Sequence, residues 1–379
     1  MARGRGEFAG FTVPAINLRS MTYDLARAIF RVANKNDSGA FVFEIARSEI
    51  GYTNQPPIEF ASMVMAAAIK EKYSGPVFIQ GDHFQANAAK YKENPNKEIE
   101  ALQTLIRDAV SSGFFNIDID SSTLVDLSKP TFKEQQYLNY ELCAKLTQFI
   151  RSLEPKGTMI SVGGEIGEIG HQNSTPEDLH VFMNGLEEEK SKDLVGISKI
   201  SVQTGTTHGG IVLPDGSIAQ IMLDFNTLKT LSEIARKEYG LAGAVQHGAS
   251  TLPPEAFHKF VECETAEVHL ATEFQNMIYE SKHFPTDLKK RIYAWLKVNA
   301  IKEEKQGETE DQFLYKTRKK GLGPFKKEII RLPNETRDAI AAEIEIKFDF
   351  LFKQLNVLNK RDLLNKYVYT SVNSEKIML

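Results

Sequence analysis

The sequence is poor in residues that could staple or anchor it. It has two cysteines, Cys143 and Cys263, far apart in a chain of 379 residues. They form no CxxC pair and no disulfide framework, which fits packing cysteines in a reducing, cytoplasmic setting. No apolar run approaches the roughly 18 residues that a membrane span needs. The amino-terminal MARGRGEFAG carries two arginines with no apolar segment behind them, so it does not read as a secretory signal. Neither sign of charge dominates: 46 Lys and Arg face 50 Asp and Glu, a net charge of −4. That gives no global reason to expect nucleic acid or an anionic membrane as partner. There is no repeat of fixed period and no low-complexity tract.

What the chain has is an alternation. Short apolar, β-branched or aromatic runs are expected as strands at 11–16, 40–45, 76–80, 115–119, 158–163, 198–203, 243–246 and 267–271. Amphipathic segments of helical length lie between them, at 58–73, 97–113, 174–186 and 225–240. Thr175 is placed to cap the third of these, with Pro176 at its first position and acids in its first turn. Alternating strand and helix implies a parallel sheet with right-handed crossovers. Eight strands over some 280 residues predict an α/β fold, a (β/α)8 TIM barrel spanning residues 1–285. An open doubly wound sheet is the competitor, but its glycine-rich turn should follow the first strand. Here GGEIGEIG (163–170) follows the fifth and carries acids where a pyrophosphate would sit. From about residue 286 the alternation gives way to helices. Residues 286–379 read as a helical extension, packed on the barrel or at a subunit interface.

A barrel of this type carries its active site at the carboxyl ends of the strands. Chemistry-bearing residues collect there: Asn17, Glu44, Asp82, His83, Asp118, Asp120, Glu165, His208, His247 and His269. QGDHFQ (80–85) shows the pattern, with Gly81 expected at a turn just past its strand. Only eight histidines exist, and His83, His208 and His247 fall past three different strand ends. Three neutral imidazoles with an open fourth position make a catalytic zinc site. Asp120 and Glu165 offer supporting carboxylates or a second metal position. The turns THGG and HGAS bring Gly209, Gly248, Ala249 and Ser250 to the same rim, with Thr272 near, as an anion nest for a phosphate. His171, His180, His258 and His283 receive no role.

VPAIN, PVFIQGDHF, NIDIDSS, GGEIGEIG, VQTGTTHG, LDFNTLKTL, VQHGAS and VHLATEF occur in this order between residues 11 and 280. In this the chain resembles the class II, zinc-dependent ketose-bisphosphate aldolases, which include the fructose-bisphosphate and tagatose-bisphosphate enzymes. The resemblance implies reversible cleavage of a phosphorylated ketose, foremost fructose 1,6-bisphosphate to dihydroxyacetone phosphate and glyceraldehyde 3-phosphate. It implies Zn2+ on His83, His208 and His247, and a zinc-stabilised enediolate. Asp82 would exchange a proton with the C4 hydroxyl. Gly209, Gly248–Ser250 and Thr272 would hold a phosphate. The backbone around Gly209 and Ser250 resembles a monovalent-cation site for Na+ or K+. Asp120 and Glu165 match carboxylates near the metal. The expected assembly is a homodimer or higher homo-oligomer.

Three departures mark a divergent branch. His269 stands where the family usually has Asn, the acidic loop after GGEIGEIG is short with only Glu168 nearby, and Gly163 replaces a common Glu. They leave room for a metal-dependent epimerase of a sugar or sugar acid, and for a non-catalytic aldolase-like subunit. The basic turn Lys316–Lys327 reads first as a solvated charge run and second as a phosphate contact.

Overall fold

The structure is a computed structural model that describes residues 2–167, 172–205 and 223–368. Eight parallel strands close into a barrel in chain order. They are β1 (Val13–Asn17), β2 (Val42–Ala46), β3 (Phe78–Gln85), β4 (Asn116–Asp120), β5 (Ser161–Gly167), β6 (Lys199–Val202), β7 (Ala244–Gln246) and β8 (Glu267–Leu270). Every expected strand is present. β3 runs to Gln85 rather than Gln80, and β5 to Gly167 rather than Gly163.

The helices are α1 (Thr22–Lys35), α2 (Arg47–Thr53), α3 (Pro57–Lys70), α4 (Ala88–Glu93), α5 (Pro95–Ser111), α6 (Phe132–Leu153), α7 (Pro176–Glu189), α8 (Phe225–Lys237), α9 (Phe257–Glu262) and α10 (Thr272–Glu280). They continue with α11 (Thr286–Asn299), α12 (Glu310–Thr317), α13 (Lys326–Ile330), α14 (Asn334–Gln354) and α15 (Arg361–Tyr367). Helix starts follow local chemistry. Asn94 caps α5 ahead of Pro95, and Thr131 and Thr175 cap α6 and α7 in reciprocal capping boxes. Along each strand, alternate side chains face the helices or the barrel axis. Ile117 and Ile119 of β4 are buried outward, while Asp118 and Asp120 face inward.

The carboxyl-terminal helices share the barrel's hydrophobic core. Phe348 meets Phe274 at 4.9 Å between ring centroids, and Phe352 meets Phe41 at 5.3 Å. Charge pairs tie α14 to α1: Arg337 with Asp24 at 3.0 Å and Arg31 with Glu345 at 2.5 Å. Among the described residues, no helix is long and apolar enough to cross a membrane.

The barrel axis is not filled in the usual way. Interior layers of such barrels draw on alternate strands and are dominated by branched apolar residues. Here β2, β4, β6 and β8 contribute Glu44, Asp118, Lys199 and Glu267, all buried. Lys199 Nζ lies 2.5 Å from Glu267 Oε1 and 3.1 Å from Asp118 Oδ2, and donates to Gln80 Oε1 at 2.7 Å. This layer explains Gly163. A Cβ there would sit 2.3 Å from Asp118 Oδ1, so a glutamate has no room.

Candidate functional site

The cluster at the barrel mouth starts from a bulge. Gly81 pairs with Ile117 and Phe84 with Ile119, so β3 spends one more residue than β4 over the same span. His83 absorbs the extra residue with φ of 40°, in the left-handed region. In an unbroken strand Asp82 and His83 would face opposite sides. The bulge lets both line the same cavity. The expectation that Gly81 makes a turn past the strand is corrected: Gly81 lies within β3, and His83 holds the unusual φ. Gly81 is needed for space, because a Cβ would meet the Phe84 ring at 2.4 Å.

Asp82 is the hub. Its Oδ1 lies 3.0 Å from His83 Nδ1, 3.1 Å from His269 Nδ1 and 3.9 Å from His247 Nδ1. The His247 ring sits 4.1 Å from each of the other two, between centroids. Burial raises the Asp82 pKa, but the facing His83 and His269 outweigh it and hold the carboxyl well below its ordinary range. For His83, burial opposes the charge, yet Asp82 and Glu165 raise its pKa well above the imidazole value. His83 Nε2 lies 3.4 Å from Glu165 Oε2. Burial, then the nearby Asp120, pushes Glu165 up to about 7. Asp120 Oδ1 accepts from the backbone N–H and hydroxyl of Ser122, at 3.1 and 2.7 Å, and Gln85 donates to Oδ2. His247 Nε2 is 3.0 Å from Ser201 Oγ.

These residues fit a metal ion. Ligand atoms of Asp82, His83 and His247 all lie within 4.8 Å of one another, as do those of His83, Asp120 and Glu165. Asp82 Oδ1 is buried and makes no aligned hydrogen bond. Imidazole nitrogens beside carboxylates are the donor set of zinc and neighbouring transition metals. His208 and Gly209, expected at the metal and the phosphate, lie outside the described residues, as does Glu168.

The cavity above the cluster has a volume of about 680 Å³. Asn17, Gly248, Ser250, His269 and Thr272 line it, whereas Ala249 is wholly buried and packs in the core. Asn17 donates to Glu49 Oε2 at 2.6 Å, and Ser250 Oγ accepts from the Glu273 N–H at 3.3 Å, tying the HGAS turn to α10. Gly248 has φ of 69°, which suits an anion-binding turn.

Of the two cations on this wall, sequence reasoning missed Arg19 and reached Lys319 only through the second reading of the basic turn Lys316–Lys327. Arg19 donates to Glu49 at 2.7 Å and approaches Thr272 Oγ1 at 3.4 Å. Lys319, from the 3-10 turn Arg318–Gly321, lines the same cavity, and burial followed by Arg19 lowers its pKa. The plainer reading of Lys316–Lys327 as a solvated run therefore fails at Lys319. Arg19's position just after Asn17 is the signal that could have flagged it.

The model of the class-II fructose-bisphosphate aldolase family matches residues 5–340. The chain belongs to that family. The match extends past residue 280 and takes in Lys319. Family members are typically metal-dependent and act on small phosphorylated sugars. No curated protein matches the sequence. Among solved structures, the YdjI aldolase from Escherichia coli K12 is 14% identical, with a TM-score of 0.53 over 93% of this chain and 94% of that one. The fructose-bisphosphate aldolase Fba from Campylobacter jejuni is 19% identical, with a TM-score of 0.53 over 94% and 93%. The fructuronate-tagaturonate epimerase UxaE from Cohnella laeviribosi is 13% identical, with a TM-score of 0.63 over 92% and 82%. At such identities the likeness is one of fold.

Proposed function

We propose that the chain is a metal-dependent aldolase that reversibly cleaves fructose 1,6-bisphosphate to dihydroxyacetone phosphate and glyceraldehyde 3-phosphate. The observation that carries this reading is the Asp82 carboxylate, gathered among three imidazoles on the floor of a cavity with cations on its wall. His83 and His247, with His208 expected from sequence, would hold Zn2+. When bound, the metal supplies a positive charge beside the ketose carbonyl, which lowers the cost of the charge developing there.

Asp82 then has one task. Its carboxylate takes the proton from the C4 hydroxyl as the C4 oxygen becomes an aldehyde and the C3–C4 bond breaks. The bond's electron pair moves onto the ketose half. In condensation Asp82 returns the proton. In the metal-free chain the facing His83 and His269 keep Asp82 ionised, and the positive charge of a bound metal would do the same in their place. Arg19, Lys319, Thr272 and the Gly248–Ser250 turn favour a phosphate on one side of the cavity. No Schiff-base lysine is needed. Lys199, the lysine inside the barrel, has its pKa raised by Asp118 and Glu267 despite burial, so it stays protonated.

The wider reading is of a cytoplasmic homodimer or higher homo-oligomer in carbohydrate metabolism, with Na+ or K+ near Gly209 and Ser250, and residues 286–379 as a helical extension of a barrel at 1–285. A second reading rests on His269, which places another proton-bearing group against Asp82. Such a pair suits epimerisation of an anionic ketose. Product analysis by NMR separates them. Zinc-loaded protein should release two triose phosphates from fructose 1,6-bisphosphate. A C4 epimer without triose release would support the second reading and end the first.

A further inference from the structure

The departure at residue 269 is part of a larger rebuilding inside the barrel. His269 is buried, and each ring nitrogen faces two carboxylates. Nε2 lies 2.7 Å from Glu267 Oε1 and 3.7 Å from Asp118 Oδ2. Nδ1 lies 3.0 Å from Glu44 Oε2 and 3.1 Å from Asp82 Oδ1. The two sides differ in kind. Glu267 Oε1 is anchored by Lys199 and by Gln80, which donates to it at 2.8 Å. On the other side, His269 Nδ1 and Asp82 Oδ1 are buried without an aligned hydrogen bond, and Glu44 Oε2, the oxygen facing Nδ1, accepts only from Gln80 at 3.2 Å. A proton on Nδ1 points cleanly at neither oxygen.

We propose that Glu44, Asp82 and His269 form a second, deeper cation site for a divalent first-row metal. Ligand atoms of all three lie within 4.8 Å of one another, and all three residues are buried. Metal–ligand bonds of about 2.1 Å would make the 3.0 and 3.1 Å separations subtend about 90° at the metal, an octahedral angle. One imidazole and two carboxylates suit Mn2+ or Co2+, with water completing the shell. Glu267 supplies the partner that ligating histidines characteristically have. It accepts the Nε2 proton and leaves Nδ1 free to bind, and Lys199 fixes Glu267 in turn. Charge balance points the same way. Glu44, Asp82, Asp118 and Glu267 surround one buried lysine and the His269 imidazole, and a divalent cation on neutral His269 offsets two of the carboxylate charges. Asp82 then lies between this ion and the His83–His247 position, with its orientation fixed by both.

This inference goes beyond the proposed reaction and is tested apart from it. Full-length protein is stripped with EDTA and titrated with Co2+, and cobalt per chain is measured by mass spectrometry alongside the visible spectrum. Wild type should bind two cobalt ions, one with the weak bands of octahedral coordination. His269→Asn and Glu44→Gln should each lose the second ion or bind it at least 10-fold more weakly. His247→Ala should keep the octahedral ion. One cobalt in wild type overturns the second site whether or not the variants fold, and leaves the proposed function standing. Two ions of unchanged affinity in His269→Asn overturn it as well. No cobalt at all removes both.

Discussion

Gly81→Ala tests whether the β3 bulge is set by close packing. The added Cβ would lie 2.4, 2.5 and 3.0 Å from three atoms of the Phe84 ring. Carbon atoms rest at about 3.5–4.0 Å, so the ring must retreat by about 1 Å. Phe84 is wholly buried, so its ring moves only against packed neighbours. Overpacking of this kind costs about 1–3 kcal/mol. The same displacement reaches Asp82 and His83, which the bulge aims into the cavity. A misplacement of about 1 Å at reacting groups costs about 10²-fold in rate. Urea unfolding should show a lower midpoint at unchanged slope, and kcat should fall with little change in KM. Gly81→Ala combined with Phe84→Leu, which returns room, should recover part of both losses. Wild-type midpoint and kcat in Gly81→Ala would refute the reasoning.

Other outcomes follow from the same geometry. Asp82→Asn should keep at least one zinc per chain, the ion of the His83–His247 position, read by elemental analysis, while kcat falls about 10²–10⁴-fold; loss of all zinc would mean that Asp82 holds that ion too. Lys199→Met should destabilise the chain by about 3–5 kcal/mol, because it leaves Asp118 and Glu267 buried and uncompensated. Adding Asp118→Asn and Glu267→Gln should recover most of that in urea unfolding. Arg19→Met should raise KM for phosphorylated substrates with kcat nearly kept, since it removes binding that ground and transition states share. Glu165 gives a pH signature in metal-free protein. Its folded pKa of about 7 exceeds the ordinary 4.5, so its contribution is complete below about pH 4.5 and disappears as pH rises through 7. Stability curves of wild type and Glu165→Gln should therefore diverge across that window, by up to ~3 kcal/mol.

The barrel was legible because each strand is a short apolar run bounded by turn chemistry, and some crossover helices carry a cap that can be read, as Thr175 and Pro176 do for α7. The clustering of Asp82, His83, Asp120, Glu165, His247 and His269 followed from knowing which strand ends face the mouth. The bulge was not legible. It arises from a register shift against β4 and from the Phe84 ring, and both are tertiary facts. For the same reason Asp118 read as a strand-end acid, although it sits deeper, against Lys199. Lys319 lies some 300 residues from Arg19. Only the packing of the carboxyl-terminal region brings them to one wall.

The central claim is metal-dependent aldol cleavage, and a coupled triose-phosphate assay tests it most directly. Protein as purified should release triose phosphate from fructose 1,6-bisphosphate, lose that activity in EDTA and regain it with added Zn2+. Zinc-loaded protein that cleaves neither fructose nor tagatose bisphosphate, or cleavage indifferent to EDTA, would contradict the account.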